Sequence, residues 1–211
     1  LSPVLAGEMG IKDIILNELD WYAENNIKLH TGKQVKTIDR VKRKVIADDG
    51  TEESYDRLLI ATGSTPFMLP IPGNDLPGVI GYRDIKDTDE MIDAAARHKH
   101  AVVIGGGLLG LEAANGLKLR GMDVTVVHLG PWLLERQLDE VAGQMLQKSL
   151  EDKGLKFLLQ TQTEALIQGE SGRVAAIRFK DGLQIPADLV VMAAGIRPNY
   201  ALAEASGIYC N

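Results

Sequence analysis

Residues 100–116 read HAVVIGGGLLGLEAANG, and the fold turns on them. Ala101–Ile104 is an unbroken apolar run, as a strand buried on both faces has. Gly105, Gly106 and Gly107 follow, and then a leucine- and alanine-rich segment with good helical propensity. Gly105, Gly107 and Gly110 match the spacing G-x-G-x-x-G. Each glycine has a mechanical reading. Gly105 permits a tight turn, Gly107 lets main chain approach a diphosphate, and Gly110 lets the helix pack closely on the strand. The unpaired N–H groups at the helix start, with the helix dipole, stabilise phosphate charge. The strand before and the helix after distinguish this match from a chance run of glycine.

Outward from the loop the pattern repeats. DVTVVHL (123–129) reads as a second strand, LDEVAGQMLQKSLEDKG (138–154) as a helix and LKFLLQ (155–160) as a third strand. Gly121 and Gly154 stand where helix C′ glycines belong. Leu138, Val141, Met145 and Leu150 are expected to line one face of their helix. Such a β-α-β-α-β run with short connections builds a parallel sheet with right-handed crossovers. TEALIQ, RVAAIRFK and LQIPA, with Asp181-Gly182 as a turn, read as a β-meander. DLVVMAAG (188–195) reads as another buried strand. The expected class is therefore α/β, a Rossmann-like domain of parallel sheet plus meander.

Toward the N-terminus, residues 11–26 place Ile11, Ile15, Leu19 and Tyr22 at helical spacing, which predicts one amphipathic helix. Residues 27–63 read as short strands, with Asp49-Gly50 as a hairpin turn and Leu58–Ala61 as a strand buried on both faces. Lys42, Arg43 and Lys44 read as a solvated turn. Residues 64–78 hold four of the eight prolines and read as a structured connector, which puts a domain boundary near residue 78. Residues 87–98 (DTDEMIDAAARH) form a helix with an acidic, cap-forming start.

An acidic residue at the end of the second strand, about 20 residues past the first glycine, would hold a ribose 2′-hydroxyl. The residue found there is His128, 23 positions past Gly105. It either meets the ribose or faces solvent, and the choice between NADH and NADPH stays open. Glu112, two residues past Gly110, is either a carboxylate favoured by the helix dipole or a group near a nicotinamide. Hydride transfer to a carbonyl needs an acid–base partner. Tyr82 and Lys86 have suitable spacing but precede the loop, so no catalytic residue is assigned. A second cofactor, flavin, then becomes the natural hydride acceptor.

Composition removes other classes. Apolar residues are 45% and charged residues 25% of the 211, which is ordinary globular usage. A net charge of −6 gives nucleic acid or an anionic membrane surface no electrostatic footprint. No apolar run reaches the roughly 20 residues that span a bilayer, and no signal peptide is visible. His30, His98, His100 and His128 have no metal-ligand spacing, so no metal site is expected. The one cysteine, Cys210, suits a reducing, cytoplasmic setting. The chain starts with Leu1 and mid-domain-like sequence, which reads as a fragment of a longer protein.

LLIATGSTP (58–66) and ADLVVMAAGIRPN (187–199) each end a strand in a small-small-Gly turn. Together with VVIGGGLLGLEAA they resemble the glutathione-reductase-like flavoprotein reductases, which bind two dinucleotides. LSPVLAGE, DWYAENNIKLHTG, YDRLLIATGSTPFMLPIPG, RDIKDTDEM, VTVVHLGPWLLERQLD and GIRPNYALAEASGIYCN look more particularly like the large-subunit family of assimilatory NAD(P)H nitrite reductases. The resemblance covers essentially the whole chain, and His128 is at home in it. It implies an NAD(P)H domain, residues 78–198, inserted in an incomplete FAD-binding domain. The latter comprises residues 1–77 and the start of a return at 199–211.

The resemblance also implies roles. Gly105, Gly107, Leu108, Leu109 and Gly110 would hold the NAD(P)H diphosphate. Glu112 would lie near the nicotinamide, and Gly195 with Ile196 near its ribose. Ala61, Thr62 and Gly63 would touch FAD, and Val35 would meet adenine. The flavin's own glycine loop, an iron–sulfur cluster and sirohaem would belong to regions absent from this chain, so FAD retention is expected to be weak or nil. The expected function is hydride transfer from NAD(P)H to FAD for reduction of nitrite to ammonium. Alternatives are a ferredoxin or rubredoxin reductase and, from another class, a non-catalytic nucleotide-binding module. Expected partners are the nicotinamide nucleotide, the missing domains and a second copy of the chain covering exposed apolar surface.

Overall fold

The computed structural model describes residues 1–210. The chain begins with α1 (Ser2–Ala6), a 3₁₀ turn (Ile11–Ile14) and α2 (Leu19–Glu24). Strands β1 (Val35–Asp39), β2 (Lys44–Ala47), β3 (Glu52–Ser54), β4 (Ser64–Pro66) and β5 (Val79–Gly81) follow. Then come α3 (Ile85–Arg97), β6 (His100–Ile104), α4 (Leu108–Leu119), β7 (Asp123–Val127), α5 (Glu140–Asp152) and β8 (Lys156–Leu158). The chain continues through β9 (Thr163–Gln168), β10 (Val174–Phe179), β11 (Gln184–Pro186), β12 (Leu189–Met192), β13 (Ile196–Pro198) and α6 (Ala201–Ala205).

Two compact units result. One comprises Leu1–Ile14 and Pro66–Ile196; the other comprises Ile15–Thr65 and the segment from Arg197 on. These limits fall inside β4 and β13 rather than at residues 77/78 and 198/199. They put α1 in the unit of the glycine loop. The physical reason is packing: Leu5 is fully buried against α4, and a Cβ on Gly116 would stand 2.7 Å from the Leu5 side chain.

In the first unit β5-β12-β6-β7-β8 form a five-stranded parallel sheet. Its central strands β12 and β6 are buried on both faces, and alternate residues point to opposite sides. Ala101, Val103, Val124, Val126, Leu189 and Val191 join the core beneath α1, α3 and α4. Val102, Ile104, Val127, Val190 and Met192 join a second core with Ile177 and Phe179 of the meander. That meander, β11-β10-β9, is antiparallel. Asp84 starts α3 with a reciprocal cap: its carboxylate accepts the Asp87 N–H, and the Asp87 carboxylate accepts the Asp84 N–H. Gly121 and Gly154 follow the ends of α4 and α5 at φ +91° and +86°.

The second unit holds the antiparallel sheet β1-β2-β3 and α6. Asp49-Gly50 turns the chain between β2 and β3, and Lys42-Arg43 lie in the turn between β1 and β2. Arg40 donates to the Gly207 carbonyl oxygen at 2.8 Å. The ladder β4–β13 completes the secondary structure.

Three expectations are corrected. The helix over 11–26 is two short pieces, broken where Glu18 adopts extended backbone (φ −69°, ψ 163°). Ile11, Ile15 and Leu19 are exposed, so the apolar stripe has no packing to hold a longer helix. Leu58–Ala61 is not a strand, and Leu59 is 89% exposed. No strand among the described residues pairs with it to complete a ladder. In α5 the inward face is Gly143, Leu146 and Leu150, whereas Val141 and Met145 are exposed. Gly143 sets that rotation, since a Cβ there would stand 2.5 Å from the Trp132 ring.

Candidate functional site

The order of the parallel sheet reverses at β6: the chain passes from β6 to β7 on one side, and β12 arrives on the other. In open α/β sheets, ligands sit outside the carboxyl ends of strands at such a point. Here the glycine loop follows β6, His128 follows β7, and Ala193–Gly195 follow β12. The Ala193 N–H donates to the Ile104 carbonyl oxygen at 2.9 Å, which seats the third segment beside the first.

The three motif glycines meet different surroundings. Gly105 has φ +127°, and a Cβ there would stand 2.3 Å from the Ala193 carbonyl oxygen. A Cβ on Gly110 would stand 2.1 Å from the Gly105 carbonyl oxygen. Gly105 thus closes on the segment after β12, and Gly110 closes on the loop's own start. Gly107 has ordinary backbone (φ −81°, ψ 175°), and nothing lies within 4 Å of where its Cβ would be. It is the N-cap of α4, and no side chain caps the helix. No side chain therefore takes the first-turn N–H groups, which include those of Leu108, Leu109 and Gly110, and the position beside Gly107 is open. Leu108 is exposed and Leu109 half-buried.

His128 lies under the loop, and its ring is 11% exposed. Its Nδ1 accepts the Gly106 N–H at 3.2 Å. An accepting Nδ1 carries no proton, so Nε2 holds it and donates to Glu135 Oε2 at 2.8 Å. Both ring nitrogens are thus engaged by protein. Burial by itself would raise the Glu135 carboxyl. Its own backbone N–H, the His128 ring and the Arg136 charge outweigh that and hold it below the usual carboxylate range. Strand position in the sequence points to His128 and not to Glu135, its partner in the structure. The available signal was an acid seven residues on, beyond the turn at Gly130-Pro131.

Glu112 is exposed on α4 and accepts the Ser2 hydroxyl at 2.7 Å. Gly195 has φ +133°, with nothing within 4 Å of its Cβ position, and Ile196 is exposed. The Gly195 carbonyl oxygen accepts the Phe67 N–H at 2.9 Å. Tyr82 is buried in the core beneath the helices, and Lys86 is exposed.

Val35, Ala61, Thr62 and Gly63 belong to the other unit. Val35 is half-buried in β1, paired with Ala47. Ala61, Thr62 and Gly63 form an exposed turn. Asn199, which the sequence did not single out, clamps it. Its Nδ2 donates to the Thr62 carbonyl oxygen at 3.0 Å, and its N–H donates to the Gly63 carbonyl oxygen at 3.0 Å. Its carbonyl oxygen accepts the Thr62 hydroxyl at 2.5 Å.

Among the described residues no group of three or more His, Cys, Asp or Glu side chains could hold a metal ion, and no helix is long and apolar enough to cross a membrane. A hollow of about 700 Å³ along Val141, Met145 and Lys148 of α5 is an open depression and includes none of the candidate residues.

Comparison with known proteins matches residues 1–211 to the family model described as pyridine nucleotide-disulphide oxidoreductase. A nitrite reductase [NAD(P)H] of Bacillus subtilis is 56% identical over 211 residues, which is 100% of this chain and 26% of that protein. The assimilatory nitrate reductase electron transfer subunit of the same organism is 48% identical over 213 residues, 100% of this chain and 27% of that protein. The chain thus spans about a quarter of the length of these relatives. A ferredoxin reductase from Rhodopseudomonas palustris superposes with a TM-score of 0.93 at 27% identity, covering 100% of this chain and 52% of that one.

Proposed function

We propose, on the premise that the chain belongs to the pyridine nucleotide-disulphide oxidoreductase family, that the unit around Gly105–Gly110 binds NAD(P)H for hydride transfer to FAD in an enzyme reducing nitrite to ammonium. The observation that carries the reading is the contrast within the loop. Gly105 and Gly110 are closed against main chain, while Gly107 leaves the N-terminus of α4 open. A diphosphate fits that place, where helical N–H groups and the dipole meet negative charge. Gly195 and Ile196 would flank the ribose next to the nicotinamide, and Glu112 would stand near the nicotinamide itself. The nucleotide domain is then built around residues 78–198, with α1 and the 66–77 connector packed in its unit, and residues 15–65 with the segment from Arg197 on supply the flavin side; Asn211 lies outside the described residues.

The second unit also fits a flavin in part. The Ala61-Thr62-Gly63 turn is exposed, Gly63 has φ +69° with open space about it, and Asn199 fixes its main chain. A bound FAD would supply a hydride acceptor able to release single electrons. Ala61, Thr62, Gly63 and Val35 offer it main chain but no second diphosphate loop, so this chain by itself holds FAD weakly or not at all. Any iron–sulfur cluster and sirohaem would belong to other parts of a longer protein.

Identity to the Bacillus subtilis nitrite reductase, at 56%, favours nitrite over a ferredoxin-type protein as the final acceptor. Titration of the chain with NADH and NADPH, followed by heat or nicotinamide fluorescence, tests the binding. Saturable binding that Gly107→Val abolishes is expected. Affinity that survives Gly107→Val would remove the loop from the site.

A further inference from the structure

The sequence leaves nucleotide choice open because a histidine stands where an acid is expected. The structure shows what that histidine does. It extends from the end of β7 under the glycine loop and presents a carboxylate. Two glycines make the arrangement: a Cβ on Gly106 would stand 2.8 Å from His128 Cγ, and a Cβ on Gly130 would stand 2.7 Å from His128 Nε2 and 3.2 Å from Glu135 Cδ. The ring is therefore fitted between two side-chain-free positions, with one nitrogen on the loop's main chain and the other on Glu135. The loop itself is tied to the same segment, since Leu134 N–H donates to the Gly106 carbonyl oxygen at 3.1 Å. Glu135 keeps 35% of its side chain exposed, so an oxygen remains for a ligand.

We propose that Glu135, positioned by His128, is the residue that selects NADH over NADPH. Resting on the NAD(P)H reading above, this assigns to Glu135 the place that a strand-end acid has in other nucleotide-binding domains of this topology. The imidazole carries the carboxylate outward from the strand end. A 2′-hydroxyl donates to the exposed carboxylate. A 2′-phosphate, with a charge of about −1.5 to −2, meets a like charge instead. The carboxyl is ionised at neutral pH, as its place below the usual range requires. The Arg136 charge acts on this carboxyl, and it supplies the rival outcome: a guanidinium that recruits the 2′-phosphate.

The test titrates the full chain with NADH and NADPH and compares Glu135→Gln, His128→Ala and Arg136→Ala. Glu135→Gln keeps the size of the side chain and an oxygen to accept the His128 proton, so it isolates the charge. The proposal requires the unmodified chain to bind NADH about tenfold or more tightly than NADPH. Glu135→Gln must narrow that ratio chiefly by strengthening NADPH. His128→Ala must narrow it too, an effect that loss of general stability would not produce, because such loss weakens both nucleotides alike. Added salt must narrow the ratio in the unmodified chain and not in Glu135→Gln. Equal affinity for the two nucleotides, a preference for NADPH that Arg136→Ala removes, or a ratio unmoved by Glu135→Gln each overturns the proposal while leaving the loop assignment standing. Failure of the unmodified chain to bind either nucleotide overturns both.

Discussion

Gly107 and Gly110 lie three residues apart in one loop, yet a methyl group added to each meets opposite surroundings. At Gly110 it would stand 2.1 Å from the Gly105 carbonyl oxygen, closer than real Cβ contacts come. Gly110→Ala must therefore separate α4 from the end of β6. We expect a loss of several kcal/mol, in the range that overpacking reaches when backbone must shift. At Gly107 the methyl group enters open space on backbone that alanine adopts freely. Gly107→Ala is expected to leave stability within about 1 kcal/mol and to weaken nucleotide binding, because the added atom occupies the approach to the helix N-terminus. Thermal melts of the two variants, paired with nucleotide titration, separate a glycine needed for the fold from one needed for the ligand. The motif spacing made both glycines legible; only the three-dimensional neighbours distinguish their jobs.

At the scale of elements, α5 and the pair β6–β12 show where pattern reading holds and where it fails. Leu138, Val141, Met145 and Leu150 satisfy helical spacing, but the helix is rotated so that Leu150 is buried and Met145 is 69% exposed. Apolar spacing gives a helix a stripe. Which stripe turns inward depends on Gly143 admitting Trp132, a contact no local pattern contains. Leu150→Ala is expected to destabilise by about 2–3 kcal/mol, and Met145→Ala by less than about 0.5 kcal/mol, as read from denaturant midpoints. Just before β12, Asp188 accepts the N–H groups of His100 at 2.8 Å and Lys99 at 3.2 Å and lies 3.1 Å from the His100 ring. Burial alone would raise its carboxyl; these bonds outweigh burial and hold it below the ordinary range. A carboxyl lowered in the folded state adds stability above its unfolded pKa, about 3.9, and that stability is lost as pH falls through the folded value. Asp188→Asn should thus lower the melting temperature at neutral pH. The gap from the unmodified chain should close as pH falls below about 4. A gap that stays constant down to that acidity would mean that Asp188 does not join β6 to β12 through its charge.

Across the whole molecule, legibility follows burial. β6 and β12 read as strands from sequence because they are buried on both faces, and burial writes near-continuous apolar residues into them; β7 reads so through its valines at 124, 126 and 127. The Leu58–Ala61 run carries the same signal, but nothing among the described residues pairs with it, so composition there reports a burial that the chain's own fold does not supply. The glycine loop was readable because its spacing is local. Glu135 and Asn199 were not, because each is held by a partner brought in by tertiary structure. The two units accordingly differ in what holds them. Among the described residues of the second unit, Ile38 and Ala203 are the apolar side chains that are buried, whereas the first unit encloses both large cores. Local opening costs least where few apolar groups must be exposed. Backbone amides of β1–β3 should therefore exchange with deuterium faster than those of β6, β7 and β12 by about two orders of magnitude or more. Saturating NADH should slow exchange at residues 105–110 and leave β1–β3 unchanged, since mass action protects the unit that contains the ligand. Equal protection in β1–β3 and β6 in the absence of nucleotide would show that the sparse core of the second unit is no guide to its stability.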